Sequence, residues 1–395
     1  MKRLVAAERA LRSAAPDQLP TAVREVLCSQ YAAEAVEFRM ADYGLTVLRP
    51  VADSPAVPVE ALPVHRSAAG RAFGSQEPFV EELDGGRARV HLPVTVRGDR
   101  LGVLSVTLPT AAPAQAELVE LAEVARALGH EVVVAERDTD LYQRARRADR
   151  LTLAAEMQWQ LLRARSSARP EYAVGAQLEP AYAIFGDTFD WSASTDRLTL
   201  YLANGMGEDV EASLLTNLGV SALRNARRAD IPLADQAALA DQAIHARYGG
   251  EAYLSALLVD VDLPTGRMQV VDAGSPRMLR LRDRTVATVD FEAQLPLGMF
   301  EETDYVAQDF RLEPGDRLVF VSDGVYAAAA PEGGEERGER ALARAVTSTS
   351  LLPAADTPAA VLRELGGGRG RPEPDDDALV VCLDWFGKQP ASSDT

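Results

Sequence analysis

Residues 185–212 read FGDTFDWSASTDRLTLYLANGMGEDVEA, and the rest of the chain is organised around them. The run Arg197 to Leu202 alternates and has the β-branched content of a half-buried strand. Turns at Asp187 and at Asn204-Gly205 flank it, so oxygen-bearing side chains sit at both ends of one short strand pair. A third such turn, Ser322-Asp323-Gly324, follows the apolar run Leu318 to Val321. A fourth, Asp375, Asp376 and Asp377, enters the apolar strand Ala378 to Leu383. Any one of these alone reads as a solvated loop, because Asp and Asn with Gly are the ordinary residues of tight turns. Four of them at strand ends, free to converge in space, point to a hard-cation site. Carboxylates gathered in one place repel unless a cation neutralises them or they take up protons. Magnesium and manganese, which prefer oxygen ligands, fit best.

Six stretches occur in a fixed order: FGDTFD (185–190), ANGMG (203–207), DAGSPRMLRL (272–281), LPLGM (295–299), LEPGDRLVFVSDGV (312–325) and DDDALVV (375–381). From about Tyr172 to Trp385 this series resembles the bacterial branch of the metal-dependent protein phosphatases (PPM, type 2C), the branch of SpoIIE and RsbU. The resemblance implies two divalent metals, Mn2+ or Mg2+, held between two antiparallel sheets. It also implies that a metal-bound water, and no side chain, attacks phosphoserine or phosphothreonine. Carried over by position, Asp187, Asp323 and Asp375 are metal ligands, and the Gly205 carbonyl is another.

Position 204 departs from that pattern. Relatives usually carry Asp there, bridging both metals, whereas this chain has Asn204. An amide oxygen coordinates more weakly and bridges poorly, and two metals about 3.5–4 Å apart repel strongly, so occupancy of at least one should fall. Glu208 and Asp209 stand where relatives have His or Asn and then Gly, and Ser275 stands where AGH is usual. Glu208 or Asp209 could restore the missing charge; equally, both suit the first turn of the helix that follows, whose dipole favours acids. Asp190 and Asp376 are further auxiliary candidates.

At 395 residues the chain is long enough for two domains and connectors, and its 47% apolar content is that of a globular protein. Net charge is −18, from 41 basic and 59 acidic residues. With no basic run interleaved with aromatics, this argues against nucleic acid and anionic membranes as partners. Cys28 and Cys382 are the only cysteines and are expected as buried thiols of a reducing compartment. There is no apolar run of spanning length and no signal-peptide core, so a cytoplasmic protein is expected. No GxxxxGK[ST] loop is present, and His245 falls on a helix away from the four turns, leaving a Ser-His-Asp relay without its base.

The N-terminal region reads as two helices, strands at Ala35 to Met40 and Leu45 to Val51, a short helix, and a hairpin turning at Arg97-Gly98-Asp99. The short helix and closing hairpin resemble a GAF sensory domain, which in related phosphatases regulates the catalytic domain behind it. His65 and His91 lie in no Cys/His cluster of ligand spacing, so any ligand there is small and organic, or there is none. From about Ala114 to Ala164 a long helical segment carries an apolar seam, Leu118, Leu121, Ala125, Leu128, Val132 and Ala135. A second seam, Leu141, Ala145, Ala148, Ala155, Trp159 and Leu162, joins it through a three-residue step at Asp138. The seam reads as a coiled coil pairing two chains, or as a stripe packed on its own domains.

The expected fold class is α+β, with four regions. Residues 1–110 form a GAF-like α/β sensor and 111–168 a helical, coiled-coil linker. Residues 169–387 form a PPM-type β-sandwich flanked by helices, and 388–395 a disordered tail. The expected function is a metal-dependent phosphoserine/phosphothreonine phosphatase acting on a phosphorylated anti-anti-sigma-type protein, as a homodimer. The alternative is a pseudophosphatase, disabled at Asn204, that binds or scaffolds partners.

Overall fold

A computed structural model describes residues 2–51, 60–162, 164–183, 186–329, 335–366 and 376–388. The chain divides into two compact units, Met1–Arg150 and Leu151–Thr395.

Unit 1 opens with helices α1 (Lys2–Ser13) and α2 (Leu19–Tyr31). Strands β1 (Ala35–Ala41), β2 (Val47–Pro50) and β3 (Leu62–Pro63) follow. Next come helix α3 (Ala68–Ser75) and strands β4 (Phe79–Leu83), β5 (Arg87–Val96) and β6 (Asp99–Leu108). Helices α4 (Gln115–Ala135) and α5 (Leu141–Ala145) close the unit. The strands form one antiparallel sheet in the order β3-β2-β1-β6-β5-β4. Two local signals set this register. The Asp42 carboxylate accepts from the backbone N–H of Gly44, Thr46 and Val47 at 3.0, 2.7 and 2.9 Å and so closes the β1–β2 turn. The β5–β6 hairpin turns on Arg97 (φ 52°) and Gly98 (φ 94°), two successive left-handed residues whose twist matches that of the strands.

The linker is where sequence reading and structure part. The segment 111–168 is not one helix: α4 ends at Ala135, α5 is a short separate turn, and the unit boundary falls at Arg150. Leu121, Ala125, Leu128, Val132 and Ala135 are all buried in the core of unit 1, together with Leu27, Leu92 and Val94. A buried Leu or Val is stabilised by about 1.5–3 kcal/mol, and unit 1 offers that burial within the same chain. The heptad-like spacing was therefore the stripe of an ordinary surface helix. Cys28 is likewise corrected: it is exposed, because the buried stripe of α2 runs through Val23, Val26 and Leu27.

Unit 2 begins with α6 (Leu153–Leu161), β7 (Ser166–Ala168) and β8 (Tyr172–Glu179). The hairpin β9 (Asp187–Ala193) and β10 (Arg197–Gly205) leads into helices α7 (Asp209–Arg228) and α8 (Leu233–Tyr248). Strands β11 (Leu254–Asp262), β12 (Arg267–Ala273), β13 (Arg277–Arg282), β14 (Thr285–Val289), β15 (Gln308–Arg311) and β16 (Arg317–Val321) follow. Helices α9 (Asp323–Ala329), α10 (Glu335–Ser348) and α11 (Thr357–Leu365) precede the last strand, β17 (Ala378–Trp385).

These strands make two antiparallel sheets, β15-β12-β11-β10-β9 and β14-β13-β16-β17-β8-β7. In the first, Tyr201, Ala203, Ala256 and Leu258 pack with Leu215, Leu223, Ala240 and Ile244 of α7 and α8. In the second, Val319, Val321, Val380 and Cys382 pack with Leu342, Val346 and Val361 of α10 and α11. The alternate residues Leu198, Leu200, Leu202, Leu318, Phe320, Val381 and Leu383 are buried as well, so both faces of each sheet are covered. That is the pattern of two sheets with helices outside. The expected flexible lead-in (366–374) and tail (388–395) lie, but for Gly366 and Lys388, outside the described residues.

Candidate metal centre

Antiparallel pairing places Asp187, the first residue of β9, opposite Asn204 on β10. In the other sheet, β16 and β17 pair so that Ser322, just after β16, and Leu379 exchange hydrogen bonds. Ser322 N donates to Leu379 O at 3.0 Å, and Leu379 N donates to Ser322 Oγ at 2.9 Å. This fixes Asp323 beside Asp376 and Asp377. Two glycines permit the turns to close: a Cβ at Gly186 would lie 2.4 Å from the Gly205 carbonyl oxygen, and one at Gly324 would lie 1.9 Å from that of Asp377.

The turns meet. Asn204 Nδ2 donates to Asp323 Oδ1 at 2.8 Å, linking the two sheets. Asp377 Oδ2 accepts from the backbone N–H of Gly186 (2.7 Å) and Asp187 (3.0 Å), linking them again. Asp187 is 1% exposed, and among the described residues neither of its carboxylate oxygens accepts a hydrogen bond of ordinary geometry. Burial, first, and then the charge of Asp377 push its carboxyl well above the usual range; the Ser322 hydroxyl opposes this, while Asp323 and Asp376 add to it. Asp376 is raised too, by burial and then by Asp323, against the N–H of Asp377. The Gly205 carbonyl lies at the same turn, where Gly205 N donates to Gly186 O at 3.2 Å.

Other expected residues are placed elsewhere. Asp190 faces away from Asp187, as strand alternation requires of residues three apart. It is 2% exposed and accepts from Arg224 Nη2 (2.7 Å) and Arg227 Nη2 (2.9 Å) of α7, so it is an ion-paired anchor and not an auxiliary ligand. Glu208 and Asp209 are exposed at the start of α7. Asp209 sits at φ 53°, a left-handed position that Asp tolerates better than most residues. They read as helix-start acids, and nothing places their charge in the centre. His245 contacts the Gly298 carbonyl at 3.3 Å. Asp375 lies outside the described residues.

Three participants were not singled out from the sequence. Asp377, not Asp376, is the buried acid of the triplet, and counting back by twos from Leu383, Val381 and Leu379 would have found it. Thr216 Oγ1 donates to Gly186 O at 3.0 Å, and Gln158 Nε2 to Asp187 O at 3.5 Å. Both come from helices whose packing no local signal discloses.

A buried carboxylate that accepts no hydrogen bond of ordinary geometry suits a cation, and every available donor is oxygen, as Mg2+ and Mn2+ prefer. Among the described residues, however, no group of three or more His, Cys, Asp or Glu is placed to hold a metal ion. Asn204 is neutral and turns an N–H toward Asp323. The residues present therefore fit a hydrated cation at Asp187 and do not fit an anionic bridge at position 204.

Residues 194–386 match the family model for Stage II sporulation protein E (SpoIIE). No curated protein sequence matches the chain significantly. Among solved structures, one holds the PP2C phosphatase domain and a fragment of the regulatory domain of the cell fate determinant SpoIIE from Bacillus subtilis. It aligns with TM-score 0.50 at 14% identity over 80% of this chain and 83% of that one. The RsbU and RsbW domains of a Mycobacterium tuberculosis protein align with TM-score 0.48 at 23% identity, over 56% of this chain and 62% of that one. This chain thus spans less than two thirds of that structure's length. The PP2C domain of SiaA from Pseudomonas aeruginosa aligns with TM-score 0.45 at 20% identity, over 55% and 86%.

Proposed function

We propose, from the premise that residues 194–386 carry a SpoIIE-type domain of PP2C-like fold, that the chain is a divalent-metal-dependent phosphoserine/phosphothreonine protein phosphatase. The observation that carries this reading is Asp187: a buried carboxylate with no cationic partner and no hydrogen bond of ordinary geometry among the described residues, at the meeting point of four turns from two sheets. Asp187 and the Gly205 carbonyl would hold the cation; Asp323 and Asp375 are the further ligands that the resemblance implies. When bound, Mg2+ or Mn2+ supplies an activated water and charge neutralisation at the phosphoryl group. Asp377 holds the Gly186-Asp187 backbone in place, and Ser322 fixes the Asp323 turn. The substrate by analogy is a phosphorylated anti-anti-sigma-type protein. Unit 1 would act as a GAF-like regulator. Homodimerisation through α4 would need a surface other than its buried seam. No helix among the described residues is long and apolar enough to cross a membrane, which suits the cytoplasmic setting proposed.

The direct test is phosphate release from a phosphoserine peptide by the purified chain with MnCl2. Metal-dependent release that Asp187→Asn abolishes is expected. No release at any manganese concentration rejects catalysis. A second reading is favoured by the 2.8 Å hydrogen bond from Asn204 to Asp323: a pseudophosphatase that binds partners without turnover. Capture of a phosphorylated partner that persists in EDTA, without hydrolysis, is its expected signature.

A further inference from the structure

The described acids of the centre are Asp187, Asp323, Asp376 and Asp377, and three of them have hydrogen-bond donors. Asp323 Oδ1 accepts from Asn204 Nδ2 at 2.8 Å and from Gly324 N at 3.2 Å. Asp376 Oδ1 accepts from Asp377 N at 2.8 Å. Asp377 Oδ2 accepts from the N–H of Gly186 and of Asp187. Among the described residues, Asp187 alone accepts no hydrogen bond of ordinary geometry on either oxygen, the Ser322 hydroxyl being the one donor near it, at 1% exposure. The orientation of the Asn204 amide follows from its neighbour: turned over, its oxygen would face the Asp323 carboxylate, two acceptors with no proton between them.

Resting on the reading of unit 2 as a metal-dependent phosphatase-type domain, we infer that its centre takes a single divalent cation, on the Asp187 side. Asn204 does for Asp323 by hydrogen bonding what a second cation would do by charge. Mg2+ and Mn2+ retain several waters and rest on one or two carboxylates, so a site with fewer than three acidic side chains suffices for one ion. A second ion about 3.5–4 Å away would need an anionic bridge to offset cation–cation repulsion, and position 204 offers a neutral amide. To engage Asp323 that ion would also have to break the Asn204 hydrogen bond. This bond joins β10 to the start of α9 and so ties the two sides of the centre together.

Calorimetric titration of the full chain with MnCl2 tests this, with thermal unfolding in EDTA and in MnCl2 as a second readout. One equivalent of Mn2+ per chain is expected, and Asp187→Asn should weaken it at least about tenfold, as loss of a supporting group commonly does. Asn204→Asp should raise the stoichiometry to two and lower the unfolding temperature in EDTA, with recovery on adding MnCl2. Asn204→Ala, which removes the hydrogen bond without adding charge, should keep one equivalent and serves if the Asp variant does not fold. Two equivalents in the unmodified chain, no binding by folded protein, or unchanged binding in Asp187→Asn would each overturn the inference. So would a folded Asn204→Asp that still binds one equivalent. Phosphate release is read separately: one equivalent without hydrolysis rejects only the catalytic reading, and hydrolysis with two equivalents rejects only this one.

Discussion

Asp187 and Asp190 are three residues apart on one strand, and both are buried, at 1% and 2% exposure. Alternation sends them to opposite sides of β9. Asp190 meets two guanidinium groups of α7, and Arg227 also lies over the Tyr201 ring, 4.7 Å from its centroid. Asp187 meets other acids and no cation, with only the Ser322 hydroxyl nearby to oppose them. A buried charge with partners belongs to the fold's support, whereas one without partners is tolerated where a cation supplies the opposite charge or the group takes up a proton. The same residue type thus has two physical roles within one strand.

That contrast can be broken experimentally, beginning with its largest consequence. Asp190→Asn leaves Arg224 and Arg227 facing a neutral group, and breaking a buried ion pair from one side costs on the order of 3 kcal/mol. Urea unfolding should report a loss of that size; a loss below about 1 kcal/mol would mean the ion pairs are solvated, as exposed pairs are. Asp187→Asn should move stability the other way. In EDTA it removes a buried acid whose ionisation is penalised and places an N–H donor among carboxylates, for an expected gain of about 1 kcal/mol. A loss in EDTA would mean Asp187 is supported by a partner after all.

The smallest effect sets unit 1 beside unit 2. His91 is 3% exposed, with Nδ1 2.8 Å from Ser105 Oγ and Nε2 3.3 Å from Glu81 Oε2. Burial lowers its pKa, against the opposing pull of Glu81, so the folded state takes up a proton less readily than the unfolded one. The stability it contributes is present above the ordinary histidine pKa of about 6.5 and is lost as pH falls below it. His91→Gln, measured by denaturation between pH 7.5 and 5, should flatten that slope. An unchanged slope would assign it to buried acids, Glu136 of unit 1 among them.

The sequence carried the hairpin β9–β10, the helices α7 and α8, and the strands β16 and β17, because their apolar periodicities are local and strong. It also carried the convergence of Asp187, Asn204 and Asp323, through the ordered motifs. It did not carry the end of α4 or the fate of its seam, since a stripe with heptad-like spacing looks the same whether a second chain or its own sheet covers it. Nor did it separate Asp190 from Asp187: the acids share a motif, and only α7, from 34 to 37 positions later in the chain, distinguishes them.

What the sequence determined by itself was which groups could do chemistry, namely oxygen-bearing side chains at turns, and that position 204 is a neutral amide. Residue type is enough to fix donor character and charge. Only the tertiary structure decided which of those groups already have partners. Asp323 has Asn204, Asp377 has two backbone amides and Asp190 has two arginines, whereas Asp187 accepts no hydrogen bond of ordinary geometry among the described residues. Partnership is set by distances between segments far apart in the chain, and those distances come from the packing of two sheets and their helices.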